Sequence, residues 1–375
     1  AALPGAGCGG APRARRGWRR ARRGAASRGH RAIPAAGPAR RFGLPSAGRG
    51  GGGARQRLPS AGFFYLVGHG VPCDDVRALH GLARDFFALP PSQKAAISMA
   101  SDPAGGRGYQ RLGENVTEGR PDWHEAIDFL AEPGEGDIDF DGLGAWVGAA
   151  KLRGMRRLAL SRNLWPPQPA ALRPAAEAHF ARMRVLGQAL MDATAQAFGL
   201  PPDHLAPLVD RSFWVARIIG YPPLGGREAD GVESCGEHTD YGWWTLLSQD
   251  ETPGALEVRT AAGDWTTVEP LPGAFVVNLG DMLHVWSGRR FKATPHRVRQ
   301  TQVGCYRTSV AFFFEPNFDA VIRPVGAPPR DEAPSACGDG LSRDSDRALD
   351  RALGGAPIAY GEHLFDKISS NFSFQ

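Results

Sequence analysis

Several things are scarce in this sequence, and each scarcity excludes something. Only five of the 375 residues are cysteine (Cys8, Cys73, Cys235, Cys305 and Cys337), scattered and without a C-x-x-C pair. That argues against a disulfide framework or a structural zinc ribbon and fits a reducing compartment. No apolar run approaches ~18 residues, so no segment reads as a membrane-spanning helix. Residues 1–60 hold fourteen Arg but no Lys, Asp or Glu. Subtracting those fourteen charges from the net +5 leaves −9 for the other 315 residues. The basic balance therefore belongs to the tail, and the acidic body gives no reason to propose nucleic acid as a partner. Residues 1–57 also lack periodic apolar positions, and Gly, Ala, Arg and Pro alone cannot bury enough surface to offset their ordering entropy. A disordered tail is the first reading. Translated non-coding sequence, the chain starting without Met, is a second, and an organelle-targeting peptide, Arg-rich and acid-free, a third. The expected location is cytoplasmic, or organellar if the tail is a targeting peptide.

With 42% hydrophobic residues the remainder has ample core material. Residues 58–204 form a mixed helix and strand region. Ala61 to Val71 reads as a buried strand ending in a Gly-rich turn, with His69 a turn histidine bonded to backbone. Val76, Leu79, Leu82, Ala83, Phe86 and Phe87 recur at helical spacing until Pro90-Pro91, with Asp74 or Asp75 as cap. Residues 101–130 are polar and read as a loop beside a substrate pocket. His124, Glu125 and Asp128 fall together there, but adjacent side chains diverge on a helix or a strand, which argues against a shared metal. A basic run near 143–162 (Lys151, Arg153, Arg156, Arg157, Arg162) reads as a surface helix or an insertion. A long helix is predicted over Ala171–Phe198, closed by Gly199 and Pro201-Pro202.

From Ser212 the apolar period changes to two. Predicted strands are Phe213–Ile219, His238–Leu247, Ala255–Arg259, Trp265–Val268, Ala274–Asn278, His296–Arg299 and Ser309–Phe314, separated by Gly, Pro and Asp turn signals. Strands so short and evenly spaced mean a sandwich, jelly roll or barrel, here spanning 205–325 with a C-terminal extension over 326–375. The fold class is mainly β with flanking helices (α+β).

Within that β region lies His238-Thr239-Asp240. Read as a strand, it turns His238 and Asp240 to one face. His296 follows on a later strand. Arg307 and Ser309 share one face of another, where a guanidinium and a hydroxyl together can hold a carboxylate. Two histidines and one carboxylate are the facial set of non-haem Fe(II) oxygenases. An H-x-D triplet alone is a weak signal; the joint occurrence in one β region is much stronger.

Residues 213–318 resemble the catalytic core of the isopenicillin N synthase-like family of non-haem Fe(II), 2-oxoglutarate-dependent dioxygenases. The match runs through Tyr221-Pro222-Pro223, Gly236 to Gly242, Thr245-Leu246-Leu247, Val277 to Asp281, His296-Arg297-Val298, Arg307-Thr308-Ser309 and Phe312 to Asn317. Gly62 to Val71 resembles the family's N-terminal region. The resemblance implies a double-stranded β-helix (jelly roll) core. It implies Fe(II) held by His238, Asp240 and His296, and 2-oxoglutarate held by Arg307, Ser309 and Tyr221. It also implies O2 as co-substrate, ascorbate as a supporting reductant and a small organic substrate oxidised at a C–H bond with release of succinate and CO2. Two departures stand out. Ile219 occupies the Asn position of the family's Asn-x-Tyr element, and Trp243-Trp244 replaces smaller residues. By alternation Trp244 shares the ligand face, where it either narrows the pocket or packs in the barrel. The alternatives are a related iron oxidase that does not use 2-oxoglutarate and a non-catalytic jelly-roll binding protein.

Overall fold

The computed structural model describes residues 62–101, 106–117, 119–145, 147–225, 233–299, 304–325 and 358–371. The expectations for residues 1–57 and 326–355 lie outside them.

The change to a two-residue period is realised as two antiparallel sheets. The larger has seven strands in the order β1 (Phe63–Leu66), β11 (Phe275–Leu279), β8 (Trp244–Gln249), β13 (Arg307–Phe314), β6 (Val215–Tyr221), β5 (Glu125–Leu130) and β2 (Gly108–Gln110). The smaller runs β10 (Trp265–Thr267), β9 (Leu256–Arg259), β12 (His296–Val298) and β7 (Cys235–His238). Among the described residues there are also two two-stranded pairs, β3 (Val116–Thr117) with β4 (Arg120–Pro121) and β14 (Val321–Ile322) with β15 (Ile358–Ala359). The core splits accordingly. Ile219, Tyr221, Leu256, Val258, Val276 and Val298 form one apolar cluster, drawn from both sheets. Ala216, Ile218, Leu246, Val277, Val310 and Phe312 form another with the helices. Alternate residues of one strand thus serve two cores, which is what period-two patterning encodes. This is the jelly-roll arrangement.

Helices flank the large sheet, the first and the fifth of them packing on β13, β6 and β8. They include α1 (Cys73–Phe87), α2 (Pro91–Ala95), α3 (Phe140–Gly144), α4 (Ala149–Leu160), α5 (Leu172–Ala197), α6 (Ala206–Val209), α7 (Asp281–Trp286) and α8 (Tyr360–Asn371). The stripe Phe180, Met183, Leu186, Leu190 and Met191 of α5 is buried. Gly187 lets α5 approach the sheet, because a Cβ there would lie 2.2 Å from Phe314 Cδ2. The N-cap of α1 is Pro72 without a side-chain cap, so Asp74 and Asp75 occupy the first turn and favour the helix dipole instead. The basic α4 is tied to α8 by Lys151, whose Nζ donates to Glu362 and Asp366 at 2.8 and 2.7 Å.

One predicted element breaks in two. His238–Leu247 is not a single strand: β7 ends at His238 in the small sheet, and β8 begins at Trp244 in the large one. Gly242 lets this turn pack against Glu315, because a Cβ there would fall on the Glu315 carboxylate. The turn is pinned by α7, where Asp281 N donates to Asp240 O at 2.8 Å and Met282 N to Gly242 O at 3.0 Å.

Candidate active site

The turn changes how the H-x-D triplet works. Asp240 reaches the site from just beyond the end of β7, not by strand alternation from His238. His296 of β12 pairs directly with His238 of β7, so the two rings stand side by side with centroids 4.3 Å apart. Each ring is fixed through Nδ1–H, which donates to a backbone carbonyl: Gly236 O at 2.8 Å for His238 and Thr294 O at 3.1 Å for His296. That tautomer leaves the Nε2 lone pairs for a ligand. Both Nε2 atoms converge on Asp240 Oδ1, at 3.8 and 3.7 Å. Asp240 Oδ2 faces the other way and accepts from Thr245 Oγ1 and from Asn278 Nδ2 at 2.6 Å. One carboxylate oxygen is thus saturated and the other turned toward two imidazole lone pairs. Such orientation by outer hydrogen bonds is how metal ligands are commonly held.

The electrostatics agree with this reading. Burial alone would raise the Asp240 carboxyl, but His296, His238 and the two hydrogen bonds outweigh it and hold it below its ordinary value. Burial, reinforced by His238, lowers His296 to about 4, so its ring is neutral at neutral pH. An ionised Asp240 carboxylate and a neutral His296 imidazole are the forms that bind a metal. Phe63 packs edge-on against His296 with centroids 5.3 Å apart.

The second cluster lies on the large sheet. Arg307 pairs with Tyr221 across β13 and β6, and Ser309 pairs with Ile219 and with Gln249. Alternation puts Arg307 and Ser309 on one face, and Tyr221 joins them from β6. Arg307 is fully buried. Its Cζ lies 4.7 Å from the centre of the Tyr221 ring, and its Nη2 donates to Gln249 Oε1 at 3.0 Å. Its Nε and Nη1 have no hydrogen-bond partner among the described residues. A buried guanidinium left with orphan donors is costly unless an anion completes it. Ser309 Oγ–H donates to the Tyr221 hydroxyl at 3.4 Å. Burial pushes the Tyr221 phenol up despite the opposing Arg307 charge, so it keeps its proton and can donate. Such a cluster has the kind of donors that hold a carboxylate. From behind, α1 braces it: His80 bonds Thr308 Oγ1 at 2.9 Å and Ser248 Oγ at 2.5 Å, and Thr308 N donates to Asp250 at 2.7 Å.

The other sequence candidates take different places. Trp244 does not share the ligand face. It is buried in the helix-side core, and its Nε1–H donates to Thr194 Oγ1 of α5 at 3.3 Å. The turn between β7 and β8 resets the alternation, so the inward position belongs to Thr245. His69 is backbone-bonded, donating from Nε2 to Gly273 O at 3.0 Å and accepting from Val71 N at 3.1 Å. His124, Glu125 and Asp128 do diverge. Glu125 accepts from Lys94, Tyr109 and Tyr306, and Asp128 forms a two-bond pair with Arg217 at 2.7 and 2.9 Å. Thr245, Asn278 and Gln249 were not singled out from sequence as site residues. Thr245 and Asn278 stand inside the motifs that carry the family resemblance, whereas Gln249 is found only through its register opposite Ser309.

The comparisons with known proteins converge on the same chemistry. Residues 213–316 match the family described as 2OG-Fe(II) oxygenase superfamily, and residues 55–147 match the non-haem dioxygenase in morphine synthesis N-terminal family. A homoarginine-6-hydroxylase of Oryza sativa subsp. japonica is 38% identical over 324 residues, covering 83% of this chain and 86% of that protein. This chain belongs to the 2-oxoglutarate/Fe(II) oxygenase superfamily. It is a 2-oxoglutarate-dependent dioxygenase of the isopenicillin N synthase-like type. Another member, the validamycin A dioxygenase of Streptomyces hygroscopicus subsp. limoneus, is 30% identical over 281 residues, covering 72% of this chain and 73% of that one. A full-length Neurospora crassa protein, crystallised in complex with alpha-KG and 5-formyluracil, superimposes with a TM-score of 0.62 at 25% identity, over 83% of this chain and 86% of that one. The superfamily implies Fe(II) and 2-oxoglutarate. The donor set at Asp240 and the orphaned donors of Arg307 fit both. No helix among the described residues is long and apolar enough to cross a membrane.

Proposed function

We propose that this dioxygenase hydroxylates a C–H bond of a small guanidino amino acid, with homoarginine the first candidate, releasing succinate and CO2. In this reading His238, Asp240 and His296 hold Fe(II), and Arg307, Ser309 and Tyr221 hold the distal carboxylate of 2-oxoglutarate. The observation that carries the chemistry is the pairing of a three-donor cluster with a buried guanidinium whose Nε and Nη1 lack partners. The substrate rests on the 38% identity with the Oryza homoarginine-6-hydroxylase.

The bound iron with 2-oxoglutarate and O2 supplies the oxidising chemistry, and ascorbate supports it as a reductant. The chain's own contribution is binding and orientation. Thr245 and Asn278 fix the Asp240 carboxylate through Oδ2, and the Gly236 and Thr294 carbonyls fix the two imidazoles. Arg307 and Ser309 supply a fork and a hydroxyl from one face of one strand, and Gln249 anchors the guanidinium by accepting from its Nη2. The face of β6 that bears Tyr221 also bears Arg217, whose pair with Asp128 is extended to Gln110 and Asn115 at 3.2 and 3.3 Å. That polar network, on the same sheet face as Tyr221, supports a small polar substrate over an apolar one.

The test is succinate formation and product mass with Fe(II), 2-oxoglutarate and ascorbate. Homoarginine should stimulate succinate release and gain one oxygen. If another amino acid or small metabolite does so and homoarginine does not, the substrate reading fails while the dioxygenase chemistry stands.

A further inference from the structure

A second group of donor atoms lies next to the first. The side chains of Asp122, His124 and Cys235 each offer one ligand atom, and these atoms all lie within 4.8 Å of one another. Asp122 and His124 are 2% and 1% exposed. The His124 ring is locked by Nδ1–H, which donates to Ser234 O at 2.8 Å. Its lone pair is therefore on Nε2, and that atom is buried without a partner among the described residues. An unmet buried acceptor is costly and calls for an explanation. The Asp122 carboxylate is already oriented: Oδ1 accepts from Gly236 N at 2.8 Å, and Oδ2 accepts from Thr117 Oγ1 at 2.7 Å and from Asn115 Nδ2. Cys235 opens β7, and its Sγ lies 3.8 Å from Nδ1 of His238, the ring nitrogen turned away from Asp240.

We propose that Asp122, His124 and Cys235 form a second divalent-cation site, separate from the His238–Asp240–His296 site, for a borderline ion such as Zn(II) or Co(II). One imidazole, one thiolate and one carboxylate are the donor mixture such ions take, with a fourth position left for water or a ligand. On binding, the Cys235 S–H bond breaks, its proton passes to solvent and a sulfur–metal bond forms, with no change of oxidation state. The carboxylate and the thiolate carry two negative charges and the ion two positive, so the buried cluster becomes neutral. The His124 lone pair gains the partner it lacks. Such an ion ties the segment between β4 and β5 to the leading end of β7, the strand that ends in His238. Its presence would therefore bear on how firmly His238 is held.

Cobalt titration of the full-length, metal-stripped chain under anaerobic conditions tests the site without reference to turnover. Two equivalents are expected, one of them bringing the near-ultraviolet absorption of a thiolate–cobalt bond. In Cys235→Ser, a one-atom change, that absorption should vanish and one equivalent should be lost. In His238→Ala the absorption should remain while the other equivalent goes. A wild-type titration without a thiolate absorption, or an absorption that survives Cys235→Ser, overturns the proposal.

Discussion

Alanine at His238 or His296 is expected to remove Fe(II) binding and bring 2-oxoglutarate-dependent succinate formation below detection. Two imidazole lone pairs and one carboxylate oxygen converge, with Nε2 to Oδ1 distances of 3.8 and 3.7 Å, and the proposed site, with three protein ligands, has no redundancy. Asp240→Asn should be as damaging although it conserves shape. Thr245 and Asn278 both donate to Oδ2, so the amide of an Asn must keep its oxygen on their side. Its NH2 then faces the metal position, offering hydrogens and no charge where a lone pair is required. Metal content and succinate yield check the three variants. Normal iron occupancy in any of them would remove that residue from the ligand set.

The second large effect is expected at Arg307. Truncation to alanine removes a charge-assisted fork from a dry site, which typically costs about 2–5 kcal/mol, or roughly 30- to 4,000-fold in affinity for 2-oxoglutarate. Fe(II) binding should be retained, because the Arg307 hydrogen bond and ring contact among the described residues go to Gln249 and Tyr221 rather than to His238, Asp240 or His296. Arg307→Lys keeps the charge and loses the planar fork, so it should fall between wild type and alanine. Calorimetric titration of 2-oxoglutarate into the iron-loaded protein measures both. Unchanged affinity in Arg307→Ala would mean that its orphaned Nε and Nη1 serve another anion.

What the sequence made legible follows from periodicity. Arg307 and Ser309 share a face because β13 is an uninterrupted strand, and alternation survives along it. The stripe of α5 was readable for the corresponding helical reason. His238 and Asp240 do come together, but not by alternation, because β7 ends at His238 and a turn follows. Gly242, held against Glu315, lies in that turn, which also resets the placement of Trp244. Nothing local reports that contact, because Glu315 lies at the far end of another strand. The same limit applies to His124. Its neighbours in sequence, Glu125 and Asp128, point elsewhere, and it meets Ser234 and Cys235 only because the sheets bring together residues more than 100 positions apart.

The most direct test of the iron and 2-oxoglutarate assignment is an anaerobic absorption titration, in which the wild-type chain loaded with Fe(II) receives 2-oxoglutarate. The assignment predicts a weak visible charge-transfer band in wild type. The band should be absent in His238→Ala at any 2-oxoglutarate concentration and recoverable in Arg307→Ala only at much higher concentration. A wild-type protein that binds iron yet shows no band, or a band indifferent to both substitutions, would contradict it.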